Sequence, residues 1–156
     1  MEDELSKRLA SVAIRKQAND AELASQADAA AKEEADKTRQ KVEAKLAWDQ
    51  ARPLVTSACN AVNASIRDQR MEFRETYEDD VAPAKARFYL MLVRDGKPTS
   101  NDPRVSVNVS AFGKVVVRHM HTTTNFGKDF PIASATEATF AELMVELLER
   151  VYPKKG

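Results

Sequence analysis

His119 and His121 are the only two histidines of the chain and stand two residues apart in KVVVRHMHT. On a strand, alternate residues share a face, so the two imidazoles would lie side by side. Such a pair can converge on zinc or iron, but a site needs a third ligand and an outer shell that orients the rings. With one cysteine in the chain, Cys59, a carboxylate such as Asp129 would have to complete it. The expectation is therefore a half-exposed polar end to a strand whose Val115 and Val117 pack inside, with a metal-dependent enzyme at His119 and His121 as the third functional reading. Cys59 falls within an apolar helical stripe, where a thiol acts as a small core residue rather than a nucleophile. A single cysteine also excludes an intrachain disulfide. No G-x-S-x-G, phosphate loop, dinucleotide-binding glycine pattern or H-E-x-x-H is present. The four glycines all lie between Gly96 and Gly156, which leaves little material for cradling a phosphate. The reading is non-enzymatic, with no cofactor.

A second kind of chemistry is phosphate recognition. Residues 84–130 hold 8 basic and 3 acidic side chains, although the whole chain balances 24 against 24. Lys97, Arg104, Lys114, Arg118 and Lys128 are candidates to hold phosphate while Phe126 stacks on a base. A net charge of zero argues against indiscriminate binding to polyanions. Nucleic acid is accordingly the alternative partner, and a protein partner, a second copy of the chain included, is the leading one.

These residues are positioned by elements of two kinds. Residues 1–52 contain no glycine or proline and are rich in helix formers. Leu5, Leu9 and Val12 follow helical spacing. The stripe fails at Lys16, Asn19-Asp20 offers a fresh N-cap, and it resumes as Leu23, Ala27, Ala31, Val42 and Leu46. A stripe made largely of alanine buries little area and anchors weakly, so this helical arm, coiled-coil-like or folded as a hairpin, is expected to pair. Leu23, Ala27, Ala31, Val42, Leu46 and Trp48 are its candidate contact residues. Trp48 has the competing reading of an anchor that pins the arm to the remainder. A solvated single helix, or a segment disordered when alone, are the other readings of the arm.

Pro53 suits the first turn of a second helix, where its missing N–H costs nothing. Val55, Cys59, Val62, Ile66, Phe73 and Tyr77 then predict a helix over 53–78. Three strands follow. ARFYLMLVR at 86–94 is nearly continuously apolar, as in a strand covered on both faces. Residues 104–111 alternate Val with Ser or Asn, and 114–122 form the third strand after a turn at Phe112-Gly113. Residues 123–131 read as a loop. Ser134 with Glu137 predicts a capping box, and Phe140, Leu143 and Leu147 line a last helix.

The fold class is thus α+β: a long N-terminal Ala-rich arm (1–52), then an α-β-β-β-α head (53–156) whose three-stranded antiparallel meander packs on helices. That order resembles double-stranded RNA-binding domains in topology alone. The first strand loop here reads DGKPTSND rather than a G-P-x-H type, and the last helix opens ASATEATF without lysines. The resemblance therefore assigns no functional residue.

The 156 residues are 43% hydrophobic and 31% charged, too apolar for a disordered chain and too polar for a membrane protein. The acidic start Met1-Glu2-Asp3-Glu4 differs from a secretory leader, and the expected location is cytoplasmic.

Overall fold

The computed structural model describes residues 3–82, 84–120 and 127–155. Helix α1 spans Asp3–Ile66 and ends in a short 3-10 turn, Arg67–Gln69. Five strands follow: β1 (Met71–Asp79), β2 (Ala84–Arg94), β3 (Arg104–Ser110), β4 (Lys114–Met120) and β5 (Gly127–Pro131). A second 3-10 turn, Ile132–Ser134, leads to helix α2 (Glu137–Val151). The class is α+β, with a long N-terminal helix, an antiparallel sheet and a C-terminal helix, as the sequence suggests. The chain divides into two compact units, Met1–Arg39 and Gln40–Gly156.

The sheet has five strands in the order β1-β2-β3-β4-β5, all antiparallel, where the sequence suggests three. The first extra strand comes from the expected helix 53–78. That helix stops at Ile66, Arg70 takes a left-handed conformation at φ 60°, and Phe73 and Tyr77 continue in β1. A spacing of four fits one helical face and equally one face of a strand, because four is a multiple of two. Pairing decides the matter: Phe73 lies opposite Leu92 and Tyr77 opposite Phe88. The second extra strand, β5, is taken from the expected loop, with Lys128 opposite Val117 and Phe130 opposite Val115. Five residues containing a glycine and a proline carry no strand signature of their own.

Two expected helix boundaries are absent. α1 continues through Asn19-Asp20 and through Pro53, which lies inside the helix and not in a first turn. On both sides of Pro53 the helix buries Trp48, Ala51, Val55, Ala58, Cys59 and Val62, and this packing outweighs the lost backbone hydrogen bond. The N-cap of α2 is Thr136, not Ser134. The Thr136 hydroxyl accepts from the Thr139 N–H at 3.3 Å, and the Thr139 hydroxyl accepts from the Thr136 N–H at 3.0 Å.

Both helices supply buried residues to one core, which also holds Phe88, Leu90, Leu92, Val105, Val107 and Val117. The opposite face of β2 carries Arg87, Tyr89 and Met91, all half-buried, and Val93, which is fully buried. No residue of β2 is exposed on either face, and the second face is the less deeply buried of the two. Its apolar run reflects a core face interleaved with long amphipathic side chains.

The turn at Gly113 shows why that residue lacks a side chain. Its φ is +87°, and an added Cβ would lie 3.2 Å from Ile132 Cγ2 and 3.3 Å from Ala44 Cβ. The β2–β3 loop is closed by Asp102, whose carboxylate accepts from the Thr99 N–H (2.7 Å) and hydroxyl (2.9 Å).

Candidate functional site

The candidate residues distribute over a helix face, a sheet face and the core. In the first unit, Leu23, Ala27 and Ala31 are exposed, and so are Leu5, Leu9 and Val12. Three bulky residues at 55–57% exposure (Leu9, Val12 and Leu23) are unusual for one surface helix that has its own core to fill. In the second unit, Val42 and Leu46 are 54% and 57% exposed, whereas Ala44, Trp48 and Ala51 are buried. At about 100° per residue, Leu46 points away from the side of α1 that carries Trp48, Ala51 and Val55. Within Gln40–Gly156, Val42 and Leu46 thus lie on one side of the helix and the residues that build the core on the other.

Trp48 belongs to the core side. It is 3% exposed, with its ring stacked on Phe88 at 5.4 Å and tilted against Tyr77 at 6.2 Å. It is an anchor within Gln40–Gly156 and presents no open surface to a partner. The same end of α1 meets β1 through Arg52, which lies 2.9 Å from the Asp79 carboxylate and 4.2 Å over the Tyr77 ring. Burial and a hydrogen bond to Glu75 push the Tyr77 phenol well above its usual range.

Arg104, Lys114 and Arg118 share the sheet face opposite the core. Arg118 is opposite Ser106, and Arg104 opposite Met120, in the register of β3 and β4. Arg87 joins them and donates to the Asn108 side-chain carbonyl at 2.7 Å. Tyr89 lies on this face with the Arg104 guanidinium 6.0 Å from its ring centre. Lys114 pairs with Asp129 at 3.5 Å. Lys97 is exposed in the β2–β3 loop. Lys128 is separated from the group: it sits on the core side of β5, paired with Glu146 of α2 at 3.6 Å. Phe126 lies outside the described residues. The sheet thus gathers three of the six predicted polyanion candidates together with Arg87, one of the basic residues the sequence already places around it, and adds Tyr89. The alternation of β2 could have found Tyr89, which shares the parity of Arg87.

His119 is not half-exposed as the sequence suggests: it is buried on the core side of β4, in line with Val115 and Val117, beside Glu146, Arg150 and the Leu143 backbone of α2. Burial holds its pKa below the usual 6.5, the positive charge of Arg150 acts in the same direction, and Glu146 and the Leu143 backbone oppose them. His121 lies outside the described residues. Among the described residues no three of His, Cys, Asp and Glu are grouped to hold a metal ion. Cys59 is buried, with its thiol donating to the Phe73 carbonyl at 3.3 Å. Burial, reinforced by the charge of Glu75, pushes its pKa up to about 11, so at neutral pH it is a protonated thiol.

Among the described residues no helix is long and apolar enough to cross a membrane. No protein-family model, curated protein or solved structure matches the chain.

Proposed function

We propose that the protein is a non-enzymatic assembly or adaptor protein of the cytoplasm, working through its N-terminal helix. The helix pairs with a second copy or with a partner helix, and the α+β unit is what it carries. The observation behind this reading is the exposure of Leu9, Val12 and Leu23 at helical spacing, 55–57% each in the single chain. A helix keeps such residues where a partner covers them, because each fully buried aliphatic side chain contributes about 1.5–3 kcal/mol. Light scattering on the full chain tests it. The expected mass is a multiple of 17.4 kDa. A Leu9→Glu, Leu23→Glu double variant is expected at the monomer mass. A wild-type chain that stays monomeric at high micromolar concentration overturns the self-pairing form of the reading.

A second reading is favoured by the joint placement of Arg87, Arg104 and Arg118 around Tyr89 on the sheet face away from the core. Such a face suits single-stranded nucleic acid, with cations along the backbone and an aromatic ring under a base. It predicts affinity that falls steeply with salt and is lost in an Arg104→Glu, Arg118→Glu variant. Absence of binding at low ionic strength dismisses it.

A further inference from the structure

From the charge layout of the first unit, we infer that α1 pairs with a second copy of itself in the antiparallel sense, centred near residue 18. This rests on the self-pairing reading above and specifies its geometry. The exposed apolar positions Leu5, Leu9 and Ala13 recur 18 residues later as Leu23, Ala27 and Ala31. Eighteen residues are about five turns at 3.6 residues per turn, so both sets fall on one face. Each set combines leucine with alanine: the first has two leucines followed by alanine, the second one leucine followed by two alanines.

When two such helices run antiparallel with residue numbers summing to 36, bulky residues meet small ones in every layer. Leu5 faces Ala31 of the other copy, Leu9 faces Ala27, and Ala13 faces Leu23. Alternating large and small partners lets two helix axes approach closely without voids. Between these layers the same face carries Lys16 and Asp20, an ion pair at 2.7 Å within one chain. Their numbers also sum to 36, so each lies opposite its counterpart's opposite charge, and Arg15 flanks Glu22 of the other copy.

Charge selects the direction. Residues 7–16 carry four basic side chains (Lys7, Arg8, Arg15, Lys16) and no acidic one. Residues 20–29, which they would lie along, carry three acidic side chains (Asp20, Glu22, Asp28) and no basic one. A parallel, in-register pair would set each block against its own sign, which is destabilising in paired helices.

Disulfide mapping on the full chain reads out the arrangement. Leu9→Cys and Ala27→Cys chains are prepared separately, oxidised alone and after mixing, and weighed by light scattering alongside. The buried native Cys59 serves as an internal control, since the wild-type chain should not cross-link. The expected result is a cross-linked heterodimer from the mixture, and little from either variant alone. In the antiparallel arrangement two copies of position 9 are about 27 Å apart. Cross-linking of the Leu9→Cys chain with itself indicates a parallel pair and overturns the inference while leaving self-pairing standing. A dimer by mass with no cross-link in any mixture places the interface elsewhere and also overturns it. A monomer by mass overturns both this inference and the self-pairing it rests on. A charge test runs independently of cysteine chemistry. Arg15→Glu with Lys16→Glu is expected to weaken dimerisation at least tenfold, and a change under twofold counts against the antiparallel register.

Discussion

The Asn63 side chain occupies the place a neighbouring strand would take along the outer edge of β1. Its amide carbonyl accepts from the Phe73 N–H at 2.7 Å, and its NH2 donates to the Phe73 carbonyl at 3.0 Å. An open nine-residue edge strand is a template for unwanted pairing, and α1 closes it at this point. Asn63→Ala leaves the Phe73 N–H without a partner, while the carbonyl keeps the Cys59 thiol. The expected cost is about 1–3 kcal/mol, measurable by urea denaturation; a loss under about 0.5 kcal/mol would show that water substitutes for the amide. His119 gives a second prediction of the same scale. Its native pKa is held below 6.5, so the unfolded chain binds the proton first as pH falls. Stability is then fully present above about pH 6.5 and declines below it, because the unfolded state carries the extra proton. Denaturation midpoints between pH 7.5 and 5 are expected to fall in the wild type. They should fall less in His119→Gln, whose side chain does not titrate. Parallel slopes in the two proteins would assign the decline to carboxylates and not to His119.

The elements differ in how far their sequences declare them. β3 and β4 were legible because Val105, Val107 and Val109 alternate with Ser106 and Asn108, and because residues 115–117 are a run of three valines between Lys114 and Arg118; Val105, Val107, Val109, Val115 and Val117 are buried. α2 was legible from Phe140, Leu143 and Leu147. β1 was not, since Phe73 and Tyr77 satisfy both periods, and only their partners Leu92 and Phe88 separate the two. β5 was not, since Gly127 and Pro131 are strand residues only by virtue of β4. The polyanion candidates were legible as a basic segment but not as a surface: strand parity puts Arg104 and Arg118 on one face and Lys128 on the other. Pro53 misleads for a related reason. Local chemistry assigns it a helix start, yet the buried residues Trp48, Ala51, Val55 and Ala58 hold the helix on either side of it. A proline inside a helix costs about 3 kcal/mol relative to alanine. Pro53→Ala should therefore raise stability by about 1–3 kcal/mol, read as a higher denaturant midpoint with an unchanged m-value. A neutral or destabilising result would mean that the ring itself is used in packing.

For the molecule as a whole, the two units draw on different sources of stability. Gln40–Gly156 holds the hydrophobic core and its stacked rings. In Met1–Arg39 the described ion pairs are exposed neighbours on one helix: Lys16–Asp20, Glu33–Lys37 and Asp36–Arg39. Such pairs contribute about 0.2–0.5 kcal/mol each. Helicity without tertiary packing is marginal in water. Residues 3–39 should therefore hold their helix mainly through association, and association is governed by concentration. The consequence is a melting experiment with two probes. Ellipticity at 222 nm follows α1 along its length, whereas near-ultraviolet ellipticity follows Trp48 and Tyr77 in the core. The far-ultraviolet signal is expected to show a first transition below the near-ultraviolet one, with a midpoint that rises as protein concentration rises. Added salt should lower that first midpoint, because the opposed charge blocks of residues 7–16 and 20–29 are screened once the Debye length drops below about 10 Å. The near-ultraviolet midpoint should respond far less to either variable. A single transition, coincident in both probes and independent of concentration, would mean that the helix is held within one chain and that its exposed leucines serve no second copy.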